Sequence, residues 1–116
     1  MTFEGLFTDV KDRLLKADVS KFPGTAAFEI RVYGEAAGVF YVEIKDGSMS
    51  VMPYDYHDRS ALITLSGDTL AEICSGELDP MIAFAVGRVK VQGDLSKVEQ
   101  FVALVYNRIG VPALVV

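Results

Sequence analysis

The chain has 116 residues, of which 51% are hydrophobic and 23% charged, with a net charge of −5 and a mean hydropathy of +0.31. That length suits one domain whose apolar surplus must go into a core, an interface or a ligand. The 11 basic side chains are scattered, which disfavours a nucleic-acid footprint, and the single Cys74 and single His57 exclude an internal disulfide and a thiolate or multi-histidine metal site.

Phe3, Leu6, Phe7, Val10 and Leu14 recur at spacings of three and four, so the first segment reads as an amphipathic helix from about Thr2 to Ala17. Thr2 is a suitable cap, Glu4 suits the positive end of the helix dipole, and Lys11, Arg13 and Lys16 suit the other end. Pro23-Gly24 marks a turn, after which the period changes to two. Ala26, Phe28, Ile30 and Val32 alternate with Ala27, Glu29, Arg31 and Tyr33, the pattern of a half-buried strand. Phe40, Val42 and Ile44 form the next strand, and Asp46-Gly47 is a hairpin signal leading to a short strand over Ser48 to Met52. Tyr54 to Ser60 reads as a solvated polar and aromatic loop, and Ala61 to Leu65 as a fourth strand.

Asp68 or Thr69 can cap a short helix, with Glu72 at capping-box distance from Thr69 and Gly76 at the stop. Asp79-Pro80 restarts a helix that Gly87 ends, and Arg88 to Gln92 is a fifth strand with Val89 and Val91 inward. Asp94 caps a final helix in which Leu95, Val98, Val102, Val105 and Ile109 share a stripe, ended by Gly110 and Pro112. The order predicts an α+β domain of two layers, with helices on one face of the sheet. Strands joined by short turns suggest an antiparallel meander, and the helical crossover of about twenty residues is long enough to carry the last strand across the sheet.

The run Ser75-Gly76, Asp79-Pro80, an Ala/Phe-rich turn, Gly87-Arg88-Val89-Lys90-Val91 and Gly93-Asp94 closely resembles the sterol carrier protein 2 domain. Arg88 stands where that family more often carries Lys. The element order agrees along nearly the whole chain, and the specific motif covers about a quarter of it. The resemblance implies a single domain over residues 1–116, a five-stranded sheet covered on one face by helices, and an apolar tunnel between the layers. It further implies non-catalytic binding or transfer of a fatty acid, acyl-CoA, sterol or similar lipid, with no cofactor. Because the chain ends Leu114-Val115-Val116 rather than in a Ser-Lys-Leu address, and lacks a long apolar span or a basic-then-apolar leader, a bacterial-type cytoplasmic member is expected.

The residues expected at the tunnel are Met81, Ile82, Phe84 and Ala85 on the short helix, and Phe101 and Leu104 on the last one. Phe40, Val42, Met49, Val89 and Val91 are expected on the strands. Two readings stand for all of these, ordinary core or ligand wall. Six residues of helix cannot hide four neighbouring apolar side chains on one stripe, so some must meet a ligand or another surface. Met49 and Met81 are flexible enough to adapt to varied chains, although methionine fills core gaps as readily. Arg31 and Arg88 are candidates for a lipid carboxylate or phosphate, with a solvent-facing charge as the plainer reading. His57 with Asp55 or Asp58 lacks an accompanying nucleophile, and Cys74 shares an apolar stripe with Leu70 and Ile73, so acid–base or thiol catalysis is disfavoured. A second class of function uses the same apolar surface to hold a protein partner, as an accessory or scaffold domain. A transient membrane or enzyme partner is compatible with either class, and the oligomeric state is left open.

Overall fold

Thr2 starts the first helix as expected: its Oγ1 accepts a hydrogen bond from the Gly5 N–H at 3.1 Å, and α1 runs over Phe3–Leu14 in a computed structural model that describes residues 1–56 and 58–106. The helix stops three residues short of Ala17. Its end is tightened by bonds from the Lys16 N–H to the Arg13 carbonyl and from the Ala17 N–H to the Leu14 carbonyl, which satisfy last-turn acceptors in a narrower winding. Leu6, Val10 and Leu14 are the residues it buries.

Five strands follow with three helices among them: β1 (Ala26–Tyr33), β2 (Gly38–Lys45), β3 (Ser48–Met52), β4 (Ala61–Ser66), α2 (Gly67–Ser75), α3 (Pro80–Ala85), β5 (Val89–Gly93) and α4 (Leu95–Tyr106). Asp46 and Gly47, both at positive φ (54° and 75°), make the two-residue turn between β2 and β3 that their dipeptide predicts. The sheet order is β3-β2-β1-β4-β5. Phe28 faces Val42 and Val42 faces Val51 in antiparallel pairs, Ile30 lies beside Ile63 in a parallel pair, and Ile63 faces Val91 in an antiparallel one.

The meander is therefore correct for β1 to β3, but the long jump lies elsewhere. The helical connection returns β5 to the strand it left, and residues 53–60 carry the chain from the β3 edge past β2 and β1 to β4. A parallel partner for β1 demands such a crossover. Its landing point is fastened where the Ser60 N–H donates to the Ala27 carbonyl at 2.6 Å and the Ala27 N–H to Ser60 Oγ at 3.2 Å.

That crossover also changes the far side of the sheet. Glu29, expected to face solvent, is 1% exposed, with Ala27 and Leu62 buried beside it. Its carboxylate accepts from the Tyr56 N–H at 3.2 Å, from Arg59 at 3.4 Å and from Arg31. Tyr56 rests its ring edge-on against Tyr41 and donates its hydroxyl to Glu43 at 2.8 Å. Burial pushes the Glu29 carboxyl up, but the Tyr56 N–H and the two arginines outweigh it and hold the group below its ordinary value. The loop is thus not simply solvated. Tyr54, Asp55 and Asp58 are exposed while Tyr56 is half-buried.

On the other face, α1 to α4 cover Phe28, Ile30, Phe40, Val42, Ile63 and Leu65, which form the core with Val98, Phe101 and Val105 of α4. His57, the predicted extension of α4 to Ile109, and the stops at Gly110 and Pro112 lie outside the described residues.

Candidate functional site

The segment that places the helices over the sheet begins at Ser66, whose Oγ accepts from the Thr69 N–H at 3.1 Å. Ser66 is the cap in place of Asp68 or Thr69, because it alone holds the extended backbone (φ −77°, ψ 159°) just before the first helical residue. Glu72 is consequently released from a capping box. It binds Arg88 instead, through two bonds of 3.2 and 3.1 Å, while Arg88 Nε donates to Thr69 Oγ1 at 3.2 Å. Gly76, in the left-handed region at φ 86°, ends α2. Asp79 caps α3 by accepting from the Met81 N–H at 2.8 Å, with Pro80 in the first helical position. Asp94 starts α4 by accepting from the Lys97 N–H at 3.1 Å.

Between these helices and the sheet lies an apolar cavity of about 130 Å³. Its floor is Ile30, Phe40, Val42, Ile63, Val89 and Val91. Leu70, Ile73 and Cys74 of α2 and Pro80, Met81 and Phe84 of α3 form one side, and Val10 and Leu14 of α1 close another. Leu95, Val98, Phe101, Val102 and Val105 of α4 complete the wall, which presents no polar surface. An apolar hole of roughly this size stays dry and accepts a ring such as benzene. A longer ligand has to part the helices or extend through an opening.

Of the expected wall residues, the structure brings Phe40, Val42, Met81, Phe84, Val89, Val91 and Phe101 together around the cavity. Met49, Ile82, Ala85 and Leu104 lie off it. Met49 sits on the edge strand opposite Ile44, beyond the cavity floor. Ile82 points outward, 57% exposed, and Ala85 is exposed one turn on, because a turn and a half of helix brings Pro80, Met81 and Phe84 to the cavity and gives its remaining buried position to Ala83. Leu104 packs against the core beside α4's inner stripe. The residues missed in the sequence are those of α1, β4 and α2, with Ile30 of β1, Pro80 of α3 and most of the α4 wall. Their signal was present in the apolar stripes of Val10 and Leu14 and of Leu70, Ile73 and Cys74, but stripes do not say which neighbour leaves a gap. A tunnel through the domain is the expectation; what the described residues form is a cavity with a groove beside it.

The candidate mouth is a groove between the start of α3 and the outer side of α4, bordered by Asp79, Met81, Glu99, Val102, Ala103 and Tyr106. Met81, Glu99, Val102 and Tyr106 also line the cavity, so the two spaces adjoin. Burial, and then the nearby Asp79 carboxylate, raise the Tyr106 hydroxyl above its ordinary value, so it stays protonated at neutral pH.

Neither arginine singled out by the sequence is free for a ligand. Arg31 is paired with Glu29, and Arg88 with Glu72 and Thr69. Burial, and then the charge of Asp9, push the Cys74 thiol up to about 11 against the smaller opposing effect of Arg13, so a neutral thiol forms part of the wall and no thiolate is available. Among the described residues no group of three His, Cys, Asp or Glu side chains is arranged to hold a metal, and no helix is long and apolar enough to cross a membrane.

The SCP-2 sterol transfer family model matches residues 3–105. Sterol carrier protein 2 of Bos taurus is 28% identical over 78 residues, which covers 66% of this chain and 14% of that protein, so the chain spans about a seventh of its relative. The solution structure of palmitated SCP2L2 from Aedes aegypti superimposes with a TM-score of 0.65 at 15% identity, covering 89% of this chain and 93% of the other. A stereoselective inverting sec-alkylsulfatase from Pseudomonas sp. gives a TM-score of 0.67 at 21% identity, with 79% of this chain matching 15% of that one. At such identities the structural likenesses establish the fold, a mixed five-stranded sheet with helices on one face. The family match, over nearly the whole of the described chain, establishes that this chain belongs to the SCP-2 sterol transfer family.

Proposed function

We propose that residues 1–116 form a single, non-catalytic domain that binds an acyl chain or comparably apolar lipid in the cavity beneath α2, α3 and α4. The observation that carries the reading is a wholly apolar cavity adjoining an open groove, in a family whose membership supports lipid binding or transfer in general. Burial drives the association at about 0.8 kcal/mol per methylene removed from water. With no polar surface presented by the wall, selectivity along the chain is broad. The same lack of polar surface, with a neutral Cys74 thiol, speaks for binding rather than bond-making. The palmitated mosquito neighbour supports an acyl chain as the occupant. The test is organic extraction of purified protein followed by mass spectrometry, together with titration of an uncharged environment-sensitive dye. Absence of both a co-purifying lipid and dye binding would sink the reading.

A further inference from the structure

Since the cavity presents no polar surface, any choice among ligands of similar chain is made at the mouth. There the described residues supply the carboxylates of Asp79 and Glu99 and the hydroxyl of Tyr106, and no basic side chain. Three described cations of the neighbouring elements are engaged elsewhere, and Lys90 of β5 alternates with the cavity-lining Val89 and Val91. Arg88 is held by Glu72 and Thr69, Arg13 donates to the Cys74 carbonyl at 2.7 Å and pairs with Asp9, and Lys97 Nζ reaches the Thr25 carbonyl at 3.1 Å. A ligand seated tail-inward leaves its head group at the rim, beside two like-signed carboxylates.

Resting on the reading of the cavity as a lipid site, we propose that the mouth selects ligands by head-group charge, favouring heads that donate hydrogen bonds without carrying negative charge over carboxylates and phosphates. A hydroxyl or an ammonium can donate to Asp79 or Glu99, whereas an anionic head meets repulsion and finds no described cation to offset it. Two like charges about 4 Å apart oppose each other appreciably even in water, by a factor of about five in affinity, and by more against a low-dielectric wall. The net charge of −5 adds a field of the same sign, screened beyond about 10 Å in 0.1 M salt.

The experiment is displacement of an uncharged dye from the full chain by decylamine, decanol and decanoate near neutral pH. Decanoate is expected to be weakest, at least about fivefold below decanol. In the double variant Asp79→Asn/Glu99→Gln the alcohol-to-carboxylate ratio falls toward one. Asn caps a helix as well as Asp does, and Glu99 is exposed, so both substitutions suit the fold. Decanoate binding as tightly as decanol to the unaltered protein would overturn the proposal, as would a ratio that survives in the double variant. If none of the three displaces the dye, the lipid-site reading itself falls.

Discussion

Phe101 is where the cavity and the core are the same object, so truncating it tests both. Its side chain is 6% exposed, its ring lies 4.9 Å from that of Phe28, and it forms part of the cavity wall. Phe101→Ala removes those contacts and merges the vacated space with a hole of about 130 Å³ that already exists. Phe28 below it is fully buried on a paired strand, so little can collapse into the gap. Large-to-small substitutions of this type cost about 3–5 kcal/mol, and the poor scope for relaxation puts this one near 4. For a domain of this size that lowers the melting temperature by roughly 15 °C, measured by circular dichroism. A ligand that fills the enlarged space should then restore more stability to the variant than to the parent. At a hundred times its dissociation constant the gain is about 2.7 kcal/mol, or roughly 10 °C. A drop of less than about 4 °C, or a decanol-induced shift smaller in the variant than in the parent, would refute the reasoning, because Phe101 would then be neither core nor wall.

Glu29→Gln weakens the latch between the crossover and the back of the sheet and should cost about 2 kcal/mol at neutral pH, discounted for the partial exposure of both arginines. Because the folded carboxyl is held below its ordinary value of 4.5, this contribution is in place above that value and disappears as pH falls through the folded one, so urea midpoints of parent and variant should converge in acid and stay apart at pH 7. A thiol reagent at neutral pH should leave Cys74 untouched in the folded protein and label it in urea, with native reactivity rising only as pH nears about 11; rapid native labelling would show that the α2 wall opens. Gly93→Ala places a Cβ 2.5 Å from the Ser60 carbonyl oxygen at φ 107°, whereas Gly34→Ala, at φ 95°, meets nothing within 4 Å. Thermal unfolding should show the first losing clearly more than the roughly 1–2 kcal/mol of backbone strain expected of the second; equal losses would mean that the crossover does not pack against β5.

The elements were legible wherever the deciding interaction is local. Thr2, Asp79 and Asp94 cap as their positions predict, and Asp46-Gly47 turns β2 into β3. Ser66 was missed because Asp68 and Thr69 are caps of equal intrinsic quality, and only the end of β4 decides among them. The strand partners of β4 and the burial of Glu29 depend on where residues 53–60 travel, which a period-two pattern does not encode. In the site, Met81 and Phe84 were separable from Ile82 and Ala85 only once the phase of α3 was set by its cap at Asp79. Stripes reveal which side chains turn inward, and a cavity is the volume those side chains fail to fill.

The parallel pairing of β1 with β4 bears on how the protein folds. The strands β1 to β3 join neighbours in sequence across tight turns, whereas setting Ala61 beside Phe28 closes a far longer loop and carries a larger entropic cost. The meander can therefore assemble first, with β4, α2, α3 and β5 docking afterwards. The cavity takes Phe40 and Val42 from the early half and Val89 and Val91 from the late half. A half-assembled chain has only one side of the wall, so ligand affinity belongs to the completed fold, and a bound ligand slows unfolding of the whole sheet instead of protecting a local part of it.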